Sequence, residues 1–258
     1  MWKEENNFDF EQIWPNPYEL AIVSCIHWDE TLWLEVIKWL KREVVRNVTY
    51  ITANNKAQQN SVRYIEFDLN RCFVDTSNWI WTYENRLSYE LHNFLRKFSY
   101  IIDLHSTFFN VPWYFIIDKV EKINLPILNW TSIINNVYML DWLKWTLISQ
   151  YDNAIAIEIW HNNEQKSIDI IIKTILEIIK NLYTWVKYSK NIFTWNWKLF
   201  RDDIFKFESW IKDFSFIKKW EIIWYDKKWI PIFTKEDTYL LWVNFDDDDI
   251  LCHRLKKY

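Results

Sequence analysis

Short apolar runs at 20–26, 48–53, 100–104, 113–117 and 154–159 alternate along the chain with segments of helical spacing at 31–46, 83–98 and 164–189. Runs of about four to eight apolar residues suit strands buried on both faces, while apolar positions recurring every turn mark a helix with one buried face. Strand and helix in alternation predict a mixed α/β sheet covered by helices. The last helical segment carries Ile168, Ile171, Ile172, Ile175, Ile178 and Ile179, a stripe suited to core packing rather than to a membrane surface. From about Asn191 the rhythm changes to short strands, among them 220–225, 229–233 and 239–245, with Pro231 at a strand start or edge. The pattern thus predicts an α/β domain over 1–190 and a small β domain over 191–258, with no internal repeat.

Candidate chemistry falls at the ends of these runs. His27-Trp28-Asp29-Glu30 lies in the loop between the first apolar run and the first helical segment, and Tyr100-Ile-Ile-Asp-Leu104 leads directly into His105. Open α/β sheets collect ligands at the C-terminal ends of their strands. Two imidazoles and one carboxylate are a catalytic zinc set, since they leave the fourth tetrahedral position open, whereas structural sites close all four. By itself a His-x-x-Glu pair also describes an ordinary loop histidine, and His105 a strand cap.

Further segments give these residues a context. Ser61-Val-Arg63-Tyr-Ile-Glu-Phe-Asp68-Leu-Asn70-Arg71, Tyr83-Glu84-x-Arg86, Asp103-Leu-His105-Ser-Thr107 and Ala156-Ile-Glu158-Ile-Trp160 follow one another in the chain. In order and interval they resemble the succinylglutamate desuccinylase/aspartoacylase family, relatives of the zinc carboxypeptidases, from about Glu19 to Trp160 and more weakly to the C-terminus. The resemblance implies a mixed-sheet, zinc carboxypeptidase-like catalytic domain with a small C-terminal β domain. It implies Zn²⁺ held by His27, Glu30 and His105, where the metal would polarise a water and Glu158 would act as general base and then protonate the leaving amine. Arg63 is implied to stabilise the tetrahedral oxyanion, Arg71 and Asn70 to hold a substrate carboxylate, and Asp103 to orient a ligand histidine. Read without the family, Arg63, Asp68 and Arg71 are a salt-bridge network ordering a loop, and Glu158 is a strand-end glutamate bound to a lysine.

The function implied is a zinc-dependent amidohydrolase cleaving an N-acyl amino acid or a similar small carboxylated amide. A zinc carboxypeptidase on peptides or cell-wall stems shares the same residues, and a noncatalytic binding module is a third reading. The family pattern places an arginine upstream of its catalytic glutamate, and 138–157 contains none, leaving Lys144 as a substitute cation; its C-terminal tyrosine is replaced by the acidic run 246–249. That run lacks the ligand spacing of a calcium loop.

The chain has no glycine and 20 tryptophans. Ordinary usage predicts roughly 18 glycines at this length. Trp28 and Trp160 occupy glycine positions of the family pattern, and Trp79, Trp130 and Trp229 follow turn-like residues where positive φ is expected. The implied explanation is that tryptophan is written where the source organism reads UGA as glycine. The alternative is a tryptophan-rich surface that stacks sugars or bases, but the tryptophans form no periodic stripe.

A net charge of −4 without a dominant basic stretch predicts no nucleic-acid partner. The absence of any ~20-residue apolar segment predicts no membrane span, and the amino terminus lacks a signal-peptide core, so a cytoplasmic protein is expected. Cys25, Cys72 and Cys252 are too scattered for a disulfide framework. Cys25 is expected as a packed thiol on the first strand, and His92 and His253 on the surface, with His161 either bordering the pocket or solvated.

Overall fold

The structure is a computed structural model that describes residues 8–13, 19–30, 32–43, 47–73, 82–107, 113–141, 143–160, 165–182 and 188–200, then six short stretches of strand to residue 257. Its elements in chain order begin with β1 (Asp9–Ile13), β2 (Leu20–Ser24), α1 (Leu32–Leu40), β3 (Val48–Thr52), α2 (Asn55–Gln59) and α3 (Tyr83–Leu95). They continue with β4 (Tyr100–Thr107), β5 (Tyr114–Ile117), β6 (Asn136–Met139), β7 (Ala154–Trp160) and α4 (Gln165–Asn181). Beyond these lie β8 (Asn191–Phe200), β9 (Lys206–Phe207), β10 (Phe216–Ile217), β11 (Ile222–Tyr225), β12 (Pro231–Phe233), β13 (Thr238–Leu241) and β14 (Ile250–Lys257).

Each of the five apolar runs forms a strand and each helical segment a helix, though all three helices are shorter than their patterns. Three elements carried no readable pattern. In β1 and α2 most described side chains are exposed or half-buried, and β6 is four residues long.

The main sheet has the order β1-β3-β2-β4-β7-β5-β6-β8-β14-β13-β10 and is mixed. Its centre, β3-β2-β4-β7, is parallel, with β1 and β5 antiparallel to their neighbours at either side of that block. Parallel strands need crossover connections, and α1 and α3 occupy two of them. The sheet buries both faces. Ala21, Val23, Ile51, Ile101, Ala154 and Ala156 pack with Leu87, Leu91 and Leu95 of α3. Leu20, Ile22, Tyr50, Ile102, Ile155, Ile157 and Ile159 pack instead with Val36 and Leu40 of α1 and Ile171, Ile175 and Ile178 of α4. Strict alternation along each strand produces the two sets.

After residue 190 the strands divide between two sheets. β8 pairs in parallel with β6 through Asn191–Thr194, and β14, β13 and β10 follow it across the main sheet. β8 and β14, at 10 and 8 residues, correct the expectation that only short strands would be found here. β9, β11 and β12 form a separate three-stranded sheet, with β12 at its edge and Pro231 as its first residue. Among the described residues no helix is long and apolar enough to cross a membrane.

Candidate metal centre

The parallel centre of the sheet delivers the site residues to one edge. β2 ends at Ser24, and Cys25 turns the chain with φ 57°, a left-handed conformation that costs a residue with a β-carbon roughly 1–2 kcal/mol. The backbone carbonyls of Ser24 and Cys25 accept hydrogen bonds from Ala53 and Asn54 at 2.9 and 3.0 Å, which fastens this turn to the end of β3. His27 to Glu30 then forms a tight turn that leads into α1. β4 and β7 run alongside, and their register sets His105 directly beside Glu158. Both share the α3 face of the sheet with Ile101, Ala154 and Ala156.

His27, Glu30 and His105 are all buried and can each direct one ligand atom within 4.8 Å of the others. His27 Nδ1 lies 3.0 Å from Glu30 Oε1, and His105 Nδ1 lies 3.4 Å from Glu30 Oε2. The opposite nitrogens are engaged elsewhere: His27 Nε2 meets Asp68 Oδ1 at 2.9 Å, and His105 Nε2 meets Asp103 Oδ2 at 2.8 Å. A carboxylate behind each ring favours a proton on Nε2 and leaves Nδ1 as the nitrogen that faces Glu30, where it carries a proton in the metal-free protein and can offer a lone pair to a cation that replaces that proton.

The electrostatics fit a divalent cation at this point. Glu30, Asp103 and Glu158 are buried around two imidazoles, and Glu30 Oε2 and Asp103 Oδ1 are buried without a hydrogen-bond partner. Burial pushes Glu158 up to about 8, with His105 working downward and Glu30 upward. Burial also acts upward on Glu30, but His105 and His27 outweigh it and hold that carboxyl at about 2. Asp68 is likewise brought to about 2, because its bond to His27 and the nearby Arg71 overcome the effect of burial. Both imidazoles are shifted upward against the pull of burial, His27 by Asp68 and Glu30, His105 by Asp103 and Glu30. The excess of buried negative charge is thus met by protons, which a metal displaces when it binds.

The other expected residues take separate places. Arg63 is exposed and donates through Nη1 to both Asp29 oxygens, at 3.0 and 2.8 Å, so it sits against the turn between His27 and Glu30. Asn70 Nδ2 lies 3.4 Å from His105 Nε2, while its Oδ1 accepts from the Leu147 amide at 3.1 Å. Arg71 is exposed and donates to the Asn70 carbonyl at 3.0 Å. Arg63 stands outside a network with Asp68 and Arg71, since it pairs with Asp29, while Asp68 pairs with His27 and feels the Arg71 charge. Among the described residues the charges acting on Glu158 are His105, Glu30, His27 and Asp103, and no lysine pairs with it. Lys144 is exposed in the segment that contacts Asn70.

Sequence reasoning missed the role of Asp68. Asp103 was readable because residues two apart on a strand share a face, whereas Asp68 reaches His27 across 41 positions and no local spacing announces it. Other expectations need correction. Cys25 lies in a turn after the strand, though it is buried as expected and burial pushes its thiol up to about 12. His92 is half-buried, stacked on Tyr151 with its Nδ1 3.0 Å from the phenol oxygen. Trp130 has φ −85°, and the positive-φ positions among the described residues are Cys25, Asn47 and Ser61, none of them tryptophan. Trp79, Trp229, His161, the run 246–249 and the side chains of Trp160, Cys252 and His253 lie outside the described residues.

Residues 18–121 match the family described as the succinylglutamate desuccinylase/aspartoacylase catalytic domain. The fold is similar to murine aminoacylase 3 at 15% identity, covering 95% of this chain and 97% of that one, with a TM-score of 0.70. It is also similar to succinylglutamate desuccinylase from Vibrio parahaemolyticus (16% identity, 94% and 82% covered, TM-score 0.66). A succinylglutamate desuccinylase/aspartoacylase from Rhodobacter sphaeroides is similar at 13% identity, with 97% and 88% covered and a TM-score of 0.70. No curated protein matches the chain. The family match, the mixed sheet and the His–Glu–His group together mark a candidate metal site in a fold of this kind. Over residues 18–121 the chain is thus similar to the succinylglutamate desuccinylase/aspartoacylase catalytic domain, and its fold is that of the solved structures described under that name.

Proposed function

We propose that the chain is a zinc-dependent amidohydrolase that releases an amino acid from an N-acyl amino acid or a similar small carboxylated amide. The observation that carries this reading is the convergence of His27 Nδ1 and His105 Nδ1 on the Glu30 carboxylate, with Glu158 in register beside His105. Zinc held by these three side chains supplies a Lewis acid and brings the acidity of water near pH ~7. Glu158, in register beside His105, takes a proton from the attacking water and returns it to the departing amine. Asp68 and Asp103 keep the imidazoles oriented throughout. Arg63, held beside the ligand turn by Asp29, stabilises charge on the tetrahedral oxygen, and Arg71 with Asn70 receives the substrate carboxylate. The division into a catalytic domain over 1–190 and a β domain over 191–258 belongs to the same proposal.

The test uses the full chain, made with the residue its own organism places at the tryptophan positions. N-acetyl amino acids should be hydrolysed, and their α-methyl esters should be poor substrates. Arg71→Lys should lower kcat/KM by roughly 10–100-fold, the scale of a charge-assisted hydrogen bond, because an ammonium lacks the planar fork that matches a carboxylate. Glu158→Gln should retain zinc while kcat falls roughly 10²–10⁴-fold. Release of C-terminal residues from peptides without turnover of any N-acyl amino acid would move the assignment to a carboxypeptidase.

A further inference from the structure

Residues 61–71 bring Arg63, Asp68, Asn70 and Arg71 to the site, yet the first part of this segment has little apolar anchorage. Val62, Tyr64 and Phe67 are 39%, 43% and 51% exposed, and Ile65 is only partly buried. What fixes it is a carboxylate. Glu84, fully buried in the first turn of α3, accepts hydrogen bonds from three consecutive backbone amides: Ile65 at 2.6 Å, Glu66 at 3.1 Å and Phe67 at 3.2 Å. The clasp is reciprocal, since the Glu66 carboxylate accepts from the Tyr83 amide at the start of the same helix.

A fourth donor ties this clasp to the metal turn. Asn54 Nδ2 reaches Glu84 Oε1 at 3.4 Å, and the Asn54 backbone amide donates to the Cys25 carbonyl two residues before His27. On the other side, Phe67 is followed immediately by Asp68, which holds His27, and then by Asn70, which touches His105. A residue needed for filling alone would be apolar, because a buried carboxylate is costly unless its acceptors are satisfied. Here three amides in a row satisfy it, and they belong to the segment whose placement the site requires.

We propose that Glu84 is a positioning residue: by clamping the 65–67 backbone, it sets Asp68 against His27 and Asn70 against His105. The kinetic part of this assignment rests on the deacylase reading, whereas its effects on metal affinity and local backbone protection do not.

Glu84→Gln and Glu84→Asp in the full chain provide the test, with amide hydrogen exchange, zinc competition titration and steady-state kinetics on an N-acetyl amino acid. In Glu84→Gln, protection at 65–67 should fall at least about tenfold while amides of β2, β4 and β7 keep theirs. Zinc should bind roughly 10-fold more weakly, the size of effect that loss of an outer partner of a ligand produces. KM should rise more than kcat falls, because the carboxylate-binding residues lie on the released segment, and Glu84→Asp should recover part of each effect. Unchanged zinc affinity and unchanged 65–67 protection in folded Glu84→Gln would overturn the proposal. So would uniform loss of protection across the chain, or failure of both variants to fold, since each makes Glu84 a residue of general stability. If protection and zinc affinity change as expected but the parent protein hydrolyses no N-acyl amino acid, the deacylase reading fails and the positioning role stands.

Discussion

Ile155, Ile157 and Ile159 of β7 pack against α1 and α4, whereas Ala154, Ala156 and Glu158 of the same strand face the side covered by α3. On the first face the strand presents branched side chains that fill the space between sheet and helices. On the second, two methyl groups leave room and a carboxylate stands beside His105. β4 repeats the arrangement, with Ile102 and Leu104 on the apolar face and Asp103 and His105 on the other. One set of strands thus separates two tasks by the period of the pleat alone. The apolar face supplies stability with no charge to satisfy, and the other face concentrates buried charge that burial alone disfavours.

Changes on the two faces should therefore have separable consequences, and the largest belongs to the metal. Alanine at His27, Glu30 or His105 should abolish tight zinc binding and turnover, measured by metal content and amide hydrolysis; full zinc retention in all three would refute the ligand set. Zinc at about 100 times its dissociation constant should stabilise the metal-free protein by about 2.7 kcal/mol. The sign of the pH effect follows from the protons the cluster holds. Both histidines are raised by their carboxylate partners, so the stability they contribute when protonated is lost as pH rises, and Glu158, raised to about 8 by burial, destabilises the fold as it ionises. Metal-free protein should lose stability from the ordinary carboxyl range, at 4.5, up to about 8, and zinc should oppose that slope.

A smaller effect should arise on the apolar face. Ile157→Ala should cost roughly 2–5 kcal/mol in chemical denaturation, by loss of buried contacts and an unfilled space. Its zinc affinity should remain that of the parent. A weakened metal site in this variant would show that the two faces are coupled through β7 and would end the separation drawn above.

How far these features can be read from sequence depends on how far apart the interacting residues lie. β2, β3, β4, β5 and β7 were legible because strands buried on both faces need continuous apolar runs, while β1 and α2 expose too many polar side chains to declare themselves. The grouping of His27, Glu30 and His105 was legible from strand ends together with the family motifs around them, since the His-x-x-Glu spacing alone does not announce it. Asp68 behind His27 and Glu84 beneath 65–67 were not, because their partners are set by the packing of distant segments. The positive φ at Cys25 was also hidden, since the residues that ordinarily announce it are glycine and asparagine. Tryptophan invited that expectation at Trp130 and did not meet it. The smallest test is one of residue identity alone: peptides of the protein from its own source, covering position 28, should carry glycine by mass spectrometry, and tryptophan there would end the recoding explanation.

The carboxylate behind His27 comes from a segment 41 residues away, and the second imidazole from a strand further still. An unfolded chain can offer a passing ion only the neighbouring His27 and Glu30, an incomplete grip. The full grasp exists once β2, β4 and the Asp68 segment have come together. If this group holds zinc, metallation reports on the finished product, because a misassembled copy lacks the complete set of side chains that would retain the ion.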